Sequence, residues 1–198
     1  MSAIPSARLD ILSARILESE PPYQVLEGDE WTIKGYGVGR IAATHDCLPE
    51  GTIAKFGRNR PQDLADVFAA GTVQNAVEAA VWTSTLALRQ FCAPIIALDA
   101  RPAPYWQIVP ECGPAETQTI WSSLDELEAF GYESQDLLVP DHWGSFQNQP
   151  VCFDYGYAHP EDLDNSPLLN LAVTVDSWQS AYAQIDYSGA VTPLSATQ

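Results

Sequence analysis

The sequence predicts an α+β fold: a five-stranded antiparallel sheet with one long helix, followed by a shorter and more helical second part. Three observations carry this. Between Trp31 and Gly57, β-type runs alternate with glycine- and proline-bearing turns. An alanine-rich span, TVQNAVEAAVWTSTLALRQF, then places Val73, Val77, Val81 and Leu88 at helical spacing. Two more β-type runs, APIIALDA and YWQIVPEC, follow around an ARPAP turn. Strands gathered ahead of helices are the signature of a segregated α+β arrangement.

Taken in order, residues 1–23 read as an N-terminal amphipathic helix and linker, since MSAIPSARLDILSARILESE mixes charged and apolar residues and the prolines of ESEPPYQ break its period. Residues 24–113 hold the sheet: WTIKGYGVGRIAATHD as two strands around a glycine-rich turn, CLPEG as the next turn, and TIAKFG as a third strand. RNRPQDLADVFAAG is polar with room for a short helix, ahead of the long one. Residues 114–187 form the second part. There TQTIWSSLDELEAFGY lines up Ile120, Leu124, Leu127 and Phe130 on one helical face. SQDLLVPDHWGSFQNQ is a loop with a short apolar strand inside it, and PVCFD is the strand beside it. SPLLNLAVTVDSWQSAYAQI reads as a further helix or a helix and a strand, and 188–198 as a tail.

Charge is distributed unevenly. Through Arg101 the chain has 12 acidic residues against all nine Lys and Arg; beyond it stand 14 acids and no base. That field repels nucleic acid and anionic membrane and favours a partner with a basic surface. No run of about 18 uncharged apolar residues is present, so no membrane span is expected, and the N-terminus lacks the continuous apolar stretch of a signal peptide. The four cysteines are irregularly spaced, without a CxxC pair, and the three histidines form no zinc pattern. Ordinary thiols in a reducing, cytoplasmic setting follow.

Chemistry-bearing residues recur in a fixed order. KGYGVGR carries Gly35, Gly37 and Gly39 between the first two strands. TIAKF carries Lys55, one of two lysines in the chain, and QNAVEAAVW carries Glu78 on the long helix. Glu111 follows the last strand of the sheet. DLLVPD sets Asp136 and Asp141 with four residues between them, and after another twelve residues Asp154 opens an Asp-Tyr-Gly.

This set resembles the protein-kinase-like fold, over roughly residues 24–160, in a small and degenerate form. The resemblance implies that the glycine turn, Lys55, Glu78 and Glu111 are the nucleotide-binding positions. Asp136 would be the base orienting the acceptor hydroxyl, and Asp141 and Asp154 the Mg²⁺ ligands beside ATP. The departures are equally specific. The glycines are spaced G-x-G-x-G, Ser134-Gln135 stand where the family has His-Arg, Asp141 replaces an asparagine, no Ala-Pro-Glu follows, and 42 residues after Gly156 make a reduced C-lobe.

Three readings of function follow. The first is a pseudokinase-like binding or scaffold protein. Its compact size and its QNAVEAAVW segment are similar to kinase-like proteins of bacteriophages, which implies a phage accessory or virion-associated setting in host cytoplasm or particle. The second is a minimal ATP/Mg-dependent phosphotransferase. The third is an acidic interaction protein or nucleic-acid mimic that docks on a basic partner.

Overall fold

The computed structural model describes residues 5–17, 30–37, 39–58, 71–84, 89–101, 104–129 and 136–156. The expected short helix before Gly71, Leu88, Phe130, Ser134-Gln135, and the C-terminal helix and tail lie outside the described residues. The rest is α+β: a five-stranded antiparallel sheet, three α-helices and a separate two-stranded hairpin.

The sheet comprises β1 (Thr32–Tyr36), β2 (Arg40–Thr44), β3 (Thr52–Gly57), β4 (Ala97–Leu98) and β5 (Trp106–Pro110), in the order β1-β2-β3-β5-β4. The APIIALDA run yields only the two-residue β4. Its Ile95 and Leu98 instead pack with Val109 and with Ala79 of the long helix. Register places Ala42 opposite Lys55, and Lys55 opposite Gln107. With the two-residue alternation of a strand, Arg40, Ala42, Lys55 and Gln107 therefore share one face. Ile41, Ala43, Ala54, Phe56, Trp106 and Ile108 share the other.

Each face has its own helix. On the apolar face lies α1 (Ser6–Leu17), whose Leu9, Leu12 and Ile16 recur at helical spacing and are buried against that set. Asp10 fastens it, accepting from Trp106 Nε1 at 2.8 Å and from Arg101 Nη1 at 3.1 Å. On the polar face lies α2 (Gly71–Ser84), in which Gln74 through Ala79 are all buried. Its first residue must be glycine: a Cβ on Gly71 would stand 1.8 Å from the Gly39 carbonyl oxygen and 2.7 Å from Gly57 Cα. The absence of a side chain lets the helix abut the ends of β2 and β3.

The second core lies beyond α2. There Val77 and Val81 meet Ile120, Leu124 and Leu127 of α3 (Thr117–Ala129), together with Leu137, Trp143, Cys152 and Tyr155. A 3₁₀ turn (Pro140–His142) leads into the hairpin of β6 (Trp143–Phe146) and β7 (Gln149–Cys152). Positive φ at both Gln147 and Asn148 marks a type I′ connection, whose twist suits a two-residue hairpin. The hairpin is held to the sheet region by single bridges, Gly113 to Ser145 and Cys92 to Cys152. Among the described residues no helix is long and apolar enough to cross a membrane.

Candidate functional site

Five segments far apart in sequence converge on one carboxylate. Glu78 on α2 is fully buried, and Lys55 Nζ on β3 donates to both of its oxygens at 3.0 Å. Gln107 Nε2 of β5 donates to Oε2, and the Tyr155 backbone N–H donates to Oε1 at 3.1 Å. Arg40 Nη1 of β2 comes within 2.8 Å of Oε1, a close charge contact rather than an aligned hydrogen bond. A carboxylate removed from water must be matched by cations and donors, and these partners supply them.

The Asp-Tyr-Gly segment is pinned to the same point. Lys55 Nζ also donates to the Phe153 carbonyl, and Arg40 Nη2 forms an ion pair with Asp154. Gly156 closes against α2: a Cβ there would lie 2.6 Å from the Gln74 carbonyl oxygen and 3.0 Å from Arg40 Nη1. Asp154 retains 40% side-chain exposure. Its partial burial opposes ionisation. Arg40 nevertheless outweighs it, with Lys55 and His142 adding, and the carboxyl lies below the usual carboxylate range. For Arg40 the same contest holds. Burial works against its charge, Asp154 and Glu78 overcome this, and its affinity for the proton is raised further.

Asp136 occupies the turn that precedes the 3₁₀ segment and is buried, with its Oδ1 3.5 Å from His142 Nδ1. His142 Nδ1 also lies 3.1 Å from the Asp136 carbonyl, and the His142 carbonyl accepts from Phe153 N–H at 2.8 Å. Asp136 and Asp154 are thus linked through one histidine's backbone and ring. Asp136 also adds to the negative field around Arg40.

The other sequence candidates stand apart from this cluster. Gly35 and Gly37 are exposed with open space where a Cβ would be, and Gly37 N–H donates to the Arg40 carbonyl at 2.9 Å. Gly39 is buried beneath the start of α2, its carbonyl accepting from Arg58 N–H at 2.9 Å. Glu111 is exposed and pairs with Lys34 at 2.7 Å. Because β2 and β3 separate β1 from β5, that pair reaches across two strands. Asp141 is exposed on the 3₁₀ turn. Among the described residues no group of three or more His, Cys, Asp and Glu side chains converges as a metal cage would.

Sequence reasoning missed Arg40 and Gln107. The available signal was register: both fall on the same sheet face as Lys55 once the strands are aligned through Ala42 and Lys55. Arg40 is also one of only nine bases in an acidic chain.

The architecture is therefore an antiparallel sheet carrying a buried lysine–glutamate pair between a strand and a helix, with an acidic segment folded against it. Comparison with known protein families and with curated proteins finds no match for this chain.

Proposed function

We propose that this chain is a pseudokinase-like binding protein: a reduced kinase-like fold kept as a scaffold, its buried charge cluster braced by its own ion pairs. One observation supports this above the rest. Lys55, Glu78 and the Asp-Tyr-Gly backbone, which the resemblance assigns to separate parts of one nucleotide site, meet at the buried Glu78 carboxylate. A lysine held by a glutamate while its strand neighbours stay in register is the arrangement such a site needs to orient phosphates.

The groups implied for Mg²⁺ fit it less well. Asp154 is already engaged by a guanidinium, and Asp141 lies exposed on its turn. As arranged, these residues do not fit a divalent ion unless Arg40 is displaced. This favours a scaffold over the minimal phosphotransferase. ATP is then a candidate ligand held through Lys55, with Asp136 as a buried structural acid.

The partner proposed is a protein with a basic surface. Glu111, Glu116, Asp125, Glu126, Glu128 and Asp141 are all exposed in the half of the chain that has no Lys or Arg. Such a field favours basic partners and speeds their encounter, with an effect that fades as salt rises. A phage accessory or virion-associated setting, in host cytoplasm or particle, accords with this and rests on the resemblance alone.

The test is a thermal-shift titration with ATP, with and without Mg²⁺, alongside an assay for release or transfer of the terminal phosphate. A ligand that binds only the folded state must raise the melting temperature. The expected result is no phosphate transfer and no contribution from Mg²⁺. A Mg²⁺-dependent shift that Asp154→Ala abolishes, together with turnover, would establish the phosphotransferase instead.

A further inference from the structure

We propose that Arg40 is a resident counter-ion: its guanidinium takes the place at Asp154 that a divalent cation would need, so that the wild-type site refuses Mg²⁺ and Mn²⁺, and removing Arg40 turns it into a metal site. The inference rests on ion-pair geometry. It stands whether or not the chain binds a nucleotide.

The position of Arg40 is built rather than incidental. Its side chain is buried to 8% exposure, with one terminal nitrogen on Asp154 and the other 2.8 Å from Glu78. The chain clears space for it, since a side chain at Gly156 would crowd Nη1 and the Gln74 carbonyl. A guanidinium is charged at every biological pH and presents its donors in a rigid plane, so it neutralises carboxylates permanently. A bound metal, by contrast, comes and goes with its concentration.

Charge decides the consequence. Around this point stand Glu78, Asp136 and Asp154 against Arg40 and Lys55. With Arg40 present the set carries a formal charge of about −1; without it, about −2, with Asp154 released. Oxygen ligands and excess negative charge are what a hard divalent ion requires. With Arg40 in place, an incoming ion meets a cation already bonded to the oxygen it must take.

The test is Mn²⁺ titration of the full chain, following free Mn²⁺ by electron paramagnetic resonance, in about 0.3 M KCl to screen the diffuse attraction of the acidic surface. Wild type and Asp154→Asn should bind Mn²⁺ indistinguishably. Arg40→Ala should gain a site about tenfold tighter or more, and Arg40→Ala/Asp154→Asn should lose it. A folded Arg40→Ala that binds no better than wild type overturns the proposal. So does a wild-type site that Asp154→Asn removes. Arg40→Gln, of similar length but neutral, serves if Arg40→Ala does not fold. If neither variant folds, the comparison of wild type with Asp154→Asn decides: equal binding upholds the proposal and a drop overturns it. An Arg40→Ala variant that gains no site leaves the pseudokinase-like reading untouched, whereas a wild-type site that Asp154→Asn removes also takes away the misfit that favours a scaffold over a phosphotransferase.

Discussion

Lys55 Nζ lies 3.0 Å from both carboxylate oxygens of Glu78, and neither side chain exceeds 6% exposure. The pair ties the middle strand of the sheet to the helix that covers its polar face. Its two members are not equal. Lys55 serves Glu78 and the Phe153 carbonyl, whereas Glu78 receives Lys55, Arg40, Gln107 and the Tyr155 amide.

Loss of the acid should therefore be worse than loss of the base. Glu78→Ala leaves two buried cations without their shared anion and should cost about 3–5 kcal/mol. Lys55→Met leaves Glu78 with its other partners and should cost about 1.5–3 kcal/mol. Urea unfolding midpoints on both variants check this, provided the slope of the transition is unchanged. Equal losses would mean that the remaining partners contribute nothing.

Asp154 predicts an acid limb of instability. Its folded pKa is depressed, mainly because Arg40 outweighs the opposing effect of burial. A depressed carboxyl adds stability above its unfolded pKa of about 3.9, and that stability is lost as pH falls through the folded value. Unfolding free energy should thus drop below about pH 4 in the wild type, and drop less steeply in Asp154→Asn. Parallel urea titrations across pH 2.5–6 would show it, and identical slopes would sink the idea.

The four cysteines should divide into two classes. Cys92 and Cys152 are buried in the second core, and burial raises both thiols. Cys47 and Cys112 are half-buried. Burial pushes Cys112 up to about 11, while Cys47 is also raised by burial despite the opposing pull of Arg8. Thiolate is the reactive form. Iodoacetamide on native protein near pH 8 should label Cys47 and, more slowly, Cys112, leaving Cys92 and Cys152 unmodified until urea is added. Mass spectrometry of peptides reads this directly, and early labelling of Cys152 would contradict the packing of β7.

The glycines should separate in the same manner. Gly35→Ala and Gly37→Ala meet open space and should change stability by less than about 0.5 kcal/mol. Gly71→Ala drives a Cβ into the Gly39 carbonyl, a backbone atom that cannot swing aside. It should cost about 1–3 kcal/mol or more, as overpacking does. Thermal unfolding of the three variants distinguishes a turn glycine from a packing glycine.

Much of the fold was legible because its signals are local. Strand propensity, glycine turns and helical spacing marked β1, β2, β3, β5, α2 and α3 in place. APIIALDA misled, being as apolar as a strand, because its residues are drawn into packing under α2 and only Ala97 and Leu98 pair with β5. Of the site, Lys55, Glu78, Asp136 and Asp154 could be picked out as acids and a base in a suggestive order. Glu111 and Asp141 belong to the same order, yet they fall on exposed links rather than among the buried charges.

By itself the sequence determined most of the described strands and helices, where the charge is concentrated, and that a lysine, a glutamate and an Asp-Tyr-Gly follow in series. Only the tertiary structure decided which charge faces which. Arg40 reaches Asp154 because strand alternation turns it to the polar face and Gly156 clears the space beside it. Pairing of charges depends on direction and distance between segments far apart in the chain, and no local pattern of residues encodes that.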